Sequence, residues 1–123
     1  MERLRDLVWI GRAKQDLKEF PQPVQRAIGF ALHRAQQGRT PETAKPLKGF
    51  GGAGVLEIVD DLDGATYRTV YTVRLSTAIY VLHAFQKKST HGIATPRREM
   101  ELVRTRLRQA EMIDAKRRST PSE

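Results

Sequence analysis

Two predicted β-strands of this chain carry cations among apolar residues. The first contains Arg68, and Lys87 and Lys88 directly follow the second. A strand needs apolar side chains for its buried face, but it does not need a guanidinium in its middle. Arginine stays charged, and its planar fork can hold a phosphate through two hydrogen bonds. A cation on rigid backbone beside further cations therefore predicts a phosphate-binding site.

One carboxylate, Glu57, lies in the strand predicted before that of Arg68. A carboxylate next to an arginine is normally ionised and can accept a proton, so Glu57 is a candidate general base. The alternative is a cross-strand ion pair on an exposed face, in which Glu57 only orients Arg68. The two roles can coexist, and the sequence leaves both open.

The histidines are scattered, and no spacing of His, Asp and Glu indicates metal ligands, so we expect neither a metal nor another cofactor. His83 alternates with Val81 and Phe85 along its strand, which predicts a hydrogen-bonded histidine in the core. His91 follows the lysines beside Gly92. It is a weaker candidate, either for the general acid or for an RNA contact.

Length and composition limit the class of protein. The chain has 123 residues, no cysteine and a formal net charge of +8, which indicates one domain without disulfides or thiolate chemistry. A small basic domain typically binds a polyanion or an acidic protein. Residues 87–123 hold ten basic and five acidic residues, so the charge is concentrated after the last predicted strand. The apolar runs are too short for a membrane span and no signal-peptide pattern is present, so we expect a cytoplasmic protein.

Hydrophobic spacing predicts a small α+β domain, in which an N-terminal strand and a helical hairpin pack on an antiparallel sheet and a C-terminal helix follows. Residues 39–54 are predicted to form a loop. We place the domain at residues 1–113 and a disordered basic tail at 114–123. The predicted elements are a strand at 4–10, helices at 13–19 and 24–35, strands at 55–59, 66–74 and 78–86, and a helix that Thr95 caps and Pro96 begins.

Five short segments, in this order and at this spacing, resemble the RelE/ParE toxin superfamily, and more closely its HigB-like, phage-related branch. The resemblance covers roughly residues 3–112. The segments are Leu-Lys-Gly at 47–49, Leu-Glu-Ile at 56–58, Tyr-Arg-Thr-Val-Tyr at 67–71, the stretch from Leu82 to Ser89, and Thr-Pro at 95–96.

The resemblance implies a RelE-like fold and the toxin of a type II toxin–antitoxin system. Members of the RelE and HigB branches cut messenger RNA, usually in the ribosomal decoding site. The implied partners are mRNA, the ribosome and a HigA-like antitoxin with a helix-turn-helix domain, with no role for a membrane. Two alternatives stay open: a ParE-like, non-enzymatic inhibitor of DNA gyrase, and a basic RNA-binding module that has lost activity.

By this resemblance, Arg68, Lys88 and Glu57 are the catalytic residues, and Arg68 contacts the phosphate. Lys87 and Lys88 point in opposite directions on an extended strand end, which favours Lys88 in the site and Lys87 on backbone phosphates. The basic C-terminal helix is expected to contact RNA or the antitoxin. The expected RNA contacts are Lys48, Lys87, His91, Arg97 and Arg104.

The chain departs from the family pattern at two places. Many relatives have an active-site tyrosine after the last strand, but no tyrosine follows Tyr80 here. Some relatives have a second basic residue in the second strand, where this chain has Val59. The resemblance therefore supplies neither a general acid nor a residue that stacks on a base.

Overall fold

The structure is a computed structural model that describes residues 3–51, 54–87 and 95–119. Five strands and three helices occur in these ranges. None of those helices is both long and apolar enough to cross a membrane. In chain order the elements are β1 (Leu7–Trp9), α1 (Ala13–Lys18), α2 (Gln22–Gln36), β2 (Ala44–Pro46), β3 (Val55–Leu62), β4 (Ala65–Thr72), β5 (Ile79–Lys87) and α3 (Arg97–Ser119).

The strands form one sheet in the order β1-β5-β4-β3-β2. Neighbouring strands from β2 to β5 are antiparallel, whereas β1 lies parallel to β5 at the edge. Leu62 pairs with Ala65, so β3 and β4 are joined by a two-residue turn. Asp63 and Gly64 both have positive φ in this turn, at 51° and 81°, as a tight hairpin turn requires.

Helices cover both faces of the sheet. Helices α1 and α2 pack on one face around Ile28, Ile58 and Tyr71. Helix α3 lies on the other face, where Val103 packs among the residues that include Val70. Strands β4 and β5 are therefore buried on both sides, which explains why β5 is a nearly continuous apolar run from Ile79 to Phe85, interrupted by His83.

The predicted α+β architecture is confirmed, with an N-terminal strand, a helical hairpin and a C-terminal helix. The sheet is mixed rather than antiparallel, because β1 pairs in parallel with β5. Strand β2 lies within residues 39–54, which were predicted as a loop. It is only three residues long and includes Pro46, so its pairing with β3 and not its own sequence pattern makes it a strand.

The C-terminal helix is longer than predicted. The sequence placed a disordered tail at residues 114–123, whereas α3 continues through Ser119. Apolar residues become scarce there, but Asp114 is buried and fixes the helix to the turn between β4 and β5. Residues 120–123 of the predicted tail fall outside the described ranges.

Candidate functional site

Glu57 and Arg68 form an ion pair on the sheet face that α3 covers. Arg68 on β4 pairs with Val59 of β3, and Glu57 lies two residues earlier on the same face of β3. Arg68 Nη1 donates to the two Glu57 carboxylate oxygens at 3.2 and 3.3 Å. The side chains are only 6% and 2% exposed. The predicted cross-strand pair is present, but the expectation that it lies on an exposed face is wrong, because both side chains are buried and Thr95 contacts them.

Thr95 closes this group from the N-terminal side of α3. Its hydroxyl donates to Glu57 Oε2 at 3.0 Å and accepts from Arg68 Nη1 at 3.3 Å. We call Glu57, Arg68 and Thr95 the Arg68 cluster. Thr95 was predicted only as a helix cap, because a hydroxyl followed by proline is a local helix signal. No local pattern could have indicated its contact with two strands that are distant in sequence.

The Arg68 cluster contains an unused donor. Arg68 Nε is buried and has no hydrogen-bond partner within the described part of the chain. Burial of a donor without a partner is unfavourable, and it is offset when an acceptor binds. The cluster therefore combines a carboxylate with a guanidinium whose Nε–H has no partner within the described residues.

Lys87 lies beside the Arg68 cluster. Phe85 of β5 pairs with Arg68, and strand alternation puts Lys87 on the same face two residues later. Loss of contact with water, and next the charge of Arg68, lower the pKa of Lys87, while Glu57 opposes the change. Lys87 thus occupies the face on which the sequence placed Lys88. Lys88 itself lies outside the described residues, as does His91.

His83 is buried on the same sheet face, with its ring stacked on that of Phe85. Its Nε2 lies 2.7 Å from Glu99 Oε1, and its Nδ1 lies 3.2 Å from Arg106 Nη1. Arginine can only donate, so Nδ1 accepts and Nε2 carries the hydrogen that is donated to Glu99. The prediction of a hydrogen-bonded core histidine is confirmed, and His83 links β5 to α3.

The stability of the fold should depend on pH through His83. Burial lowers the pKa of His83, although the hydrogen bond to Glu99 opposes the shift. The folded state therefore favours the neutral ring, and this contribution is fully present above the unfolded pKa of about 6.5 and is lost as pH falls below it. In urea denaturation from pH 7.5 to 5, His83→Gln should lose less stability than the wild type. The exposed His33, changed to Gln, is the control; equal slopes for His83→Gln and wild type would contradict the prediction.

Two predicted RNA contacts lie on one surface beside α3. The loop between β2 and β3 packs against this helix, since a Cβ on Gly49 would lie 3.1 Å from Met100 and 3.4 Å from Arg104. Lys48 is exposed next to Gly49, and the Arg104 guanidinium lies 5.6 Å from the centre of the Phe50 ring. The loop therefore brings the exposed Lys48 close to the exposed Arg104.

The other arginines of α3 differ in their surroundings. Arg97 is 93% exposed and pairs with Glu101 at 3.6 Å. Arg106 donates to the carbonyl of Leu82 at 3.0 Å, and a Cβ on Gly11 would lie 3.0 Å from its Nε. Arg97 is thus exposed on the surface, whereas Arg106 holds α3 on the sheet.

The structure brings Arg68, Glu57 and Lys87 together. Arg104 lies farther along α3 than Arg97, and Lys48 lies in the loop that packs against Arg104. Seven residues of helix, about 10 Å at 1.5 Å per residue, separate Arg104 from Arg97. Across residues 3–51, 54–87 and 95–119, no three His, Cys, Asp or Glu side chains are grouped so that they could hold a metal ion. The arrangement can bind an anion and accept a proton.

Comparisons with known proteins show which family the sequence matches. One solved structure that is similar, the toxin–antitoxin complex RelBE2 from Mycobacterium tuberculosis, is 20% identical with a TM-score of 0.45, and the match covers 72% of this chain and 98% of that chain. No curated protein matches the sequence. The family model described as "Phage derived protein Gp49-like (DUF891)" matches residues 15–108, from α1 into α3. The chain therefore belongs to the Gp49-like family of phage-derived proteins.

Proposed function

We propose that this chain is the toxin of a toxin–antitoxin pair and cleaves messenger RNA on the ribosome without a metal ion. The observation that carries the proposal is the Arg68 cluster together with Lys87, which lies on the same sheet face. The sequence resemblance to RelE and HigB-like toxins, and membership of a phage-derived family, support the same function. A HigA-like antitoxin is the proposed protein partner.

The Arg68 cluster contains groups suited to cleavage by the 2′-hydroxyl of the RNA. Glu57 takes the proton of that hydroxyl, whose oxygen then attacks the adjacent phosphorus. Arg68 and Lys87 stabilise the negative charge that develops on the phosphorane oxygens. The bond to the 5′-oxygen breaks, and that oxygen leaves with a proton from water or from a group on the ribosome. The products are a 2′,3′-cyclic phosphate and a 5′-hydroxyl end.

The surface along α3 supports binding of the RNA chain. Lys48, Arg97 and Arg104 are exposed cations on or against this helix. Cations at such positions neutralise backbone phosphates irrespective of sequence, and their contribution weakens as salt rises. We assign backbone contacts to these residues, and the ribosome supplies the rest of the binding surface.

The burial of Arg68 favours a second candidate function. With its guanidinium held by Glu57 and Thr95, Arg68 meets a phosphate only when it turns away from the carboxylate or when Thr95 moves aside. A chain in which this exchange does not occur would bind RNA through its surface cations without cutting it. The basic RNA-binding module is therefore the alternative that the geometry favours.

Expression in bacteria with mapping of new 5′ ends on mRNA tests the proposal. Induced wild-type protein should arrest growth and produce cuts within coding regions, in register with codons. Arg68→Ala should reduce cutting by about 100-fold or more, because one donor to a developing oxyanion typically contributes that much. Arg39→Ala, which removes an exposed arginine away from the cluster, is the matched control and should cut like the wild type.

Loss of cutting is informative only if the Arg68→Ala protein is folded, so its circular dichroism and antitoxin affinity should match those of the wild type. Growth arrest without cuts would move the function to DNA gyrase or another target. Neither arrest nor cuts would favour the RNA-binding module. Unchanged cutting by a folded Arg68→Ala variant would exclude Arg68 from the chemistry.

A further inference from the structure

The outer face of α2 carries an exposed aromatic side chain. Phe30 is 60% exposed, while Val24, Ile28 and Leu32 of the same helix are buried against the sheet. The Arg34 guanidinium lies 4.7 Å from the centre of the Phe30 ring. A single exposed apolar residue is common in proteins and by itself indicates nothing. Phe30 differs from such a residue because a glycine and several basic residues of α2 surround it.

Gly29 precedes Phe30 inside the helix. Glycine in a helix interior lowers stability relative to alanine, so its presence needs a reason. Its φ is not positive, and apart from its two chain neighbours and the backbone of its own helix, an added Cβ would meet no described atom within 4 Å. Neither backbone conformation nor packing within the described residues requires a glycine there. What Gly29 provides is a notch in the helix surface beside the protruding Phe30 ring.

The charged side chains of α2 around this notch are all basic. Helix α2 contains no Asp or Glu between Gln22 and Gln36. Five residues of α2, spaced three or four apart, lie next to each other on the outer side of the helix. We call them the α2 face: Arg26, Gly29, Phe30, His33 and Arg34.

We propose that the α2 face is the docking site for an acidic amphipathic helix of a partner protein. This inference rests on the proposed function, because the partner is then the cognate antitoxin. An apolar side chain of the partner fills the notch at Gly29 and packs on Phe30, and its carboxylates pair with Arg26 and Arg34. Small residues at helix contacts let two backbones approach closely, which accounts for a glycine where alanine would stabilise the free helix.

Other occupants fit the α2 face less well. A second copy of this chain would set the same arginines against each other, and like charges across an interface oppose association. RNA would use the arginines but has no need of a notch at Gly29. The α2 face also lies on the opposite side of the sheet from the Arg68 cluster. The partner can therefore dock there without covering the proposed catalytic residues.

Calorimetry with the purified chain and its purified cognate antitoxin tests the docking site. Phe30→Ala should weaken binding at least tenfold with no change in circular dichroism. Gly29→Ala should raise the Tm by about 2–4 °C and yet weaken binding, because the new methyl group fills the notch. Met112→Ala is the control, since it removes a side chain of α3 that is 74% exposed; its affinity should equal that of the wild type.

The opposite effects of Gly29→Ala on stability and binding separate a docking role from a structural one. Wild-type affinity in both α2 variants would overturn the docking site while leaving the toxin function intact. Retained antitoxin affinity with reduced binding of a short single-stranded RNA would show that the face binds nucleic acid, which also overturns it. A wild-type chain that neither binds the antitoxin nor arrests growth would defeat the proposed function, and the docking site would fail with it.

Discussion

Glu57→Ala is expected to lower the free energy of unfolding by about 3–5 kcal/mol, because it leaves the Arg68 charge buried without its carboxylate. Arg68 donates to both Glu57 oxygens, and Thr95 cannot replace them, since one hydroxyl carries no charge. Urea denaturation at neutral pH measures the loss. A change of that size is a large fraction of the total stability of a small domain.

A double-mutant cycle supplies the control for Glu57→Ala. Replacing Glu57 with Leu and Arg68 with Met together should recover most of the stability, since an apolar pair of similar volume can replace a buried ion pair at little or no cost. The coupling between the two positions should be strongly favourable to the native pair. A loss below about 1 kcal/mol for Glu57→Ala would show that Arg68 is hydrated in solution.

The same double variant separates stability from function. A chain with Leu at position 57 and Met at 68 keeps the packing of the sheet but has neither the proposed base nor the phosphate-binding cation. It should fold, bind the antitoxin and cut no RNA. If the apolar variant is as stable as the wild type, stability alone does not explain why the Arg68 cluster is present.

Much of the fold follows from sequence pattern because its central strands have strong local signals. Strands β3, β4 and β5 are rich in β-branched and aromatic residues, and Asp63-Gly64 is a typical hairpin turn. The parallel pairing of Leu7 with Ile79 had no such signal, since it depends on where a distant strand edge lies. Strand β2 was missed for the same reason, because its pairing with β3 defines it.

The candidate site was predictable in its residue types and not in its surroundings. Arg68 and Glu57 were identified from their charge in neighbouring strands, and the structure pairs them. Their burial depends on α3, whose position relative to the sheet is a tertiary property. The choice between neighbouring lysines depends on a register of one residue, and β5 carries an irregularity opposite Val70 and Tyr71 that alternation alone could not reveal.

Asp114 shows most clearly what pattern reading cannot recover. It lies in a polar stretch that favours disorder, yet its side chain is 2% exposed. Its carboxylate accepts from the backbone N–H groups of Thr77 at 2.8 Å and Ser76 at 3.1 Å. The hydroxyls of Ser76, Thr77 and Tyr80 donate to it as well. The Asp114 carboxylate thus fixes the end of α3 to the turn before β5.

Asp114→Ala should destabilise the protein by about 3 kcal/mol, since it removes several hydrogen bonds to a charged group and leaves backbone donors of the turn unpaired. For a domain of this size, the Tm should fall by roughly 10 °C. Differential scanning calorimetry measures the shift. Glu101→Ala, which truncates a side chain of α3 that is 66% exposed, is the matched control and should change the Tm little. A loss for Asp114→Ala no larger than the control would mean that the last turns of α3 do not contribute to the fold.

The pH dependence of the same substitution identifies the charge as the cause. Burial alone raises the pKa of Asp114, but the hydrogen bonds from Thr77, Ser76 and Tyr80 outweigh it and hold the pKa well below its ordinary value. The stabilisation is therefore fully present above the unfolded pKa of about 3.9 and is lost as pH falls toward the folded value. Asp114→Asn should be less stable than the wild type at pH 7, and the difference should shrink steadily below about pH 4. A difference that stays constant down to pH 2 would mean that the shape of the side chain, and not its charge, fixes the helix.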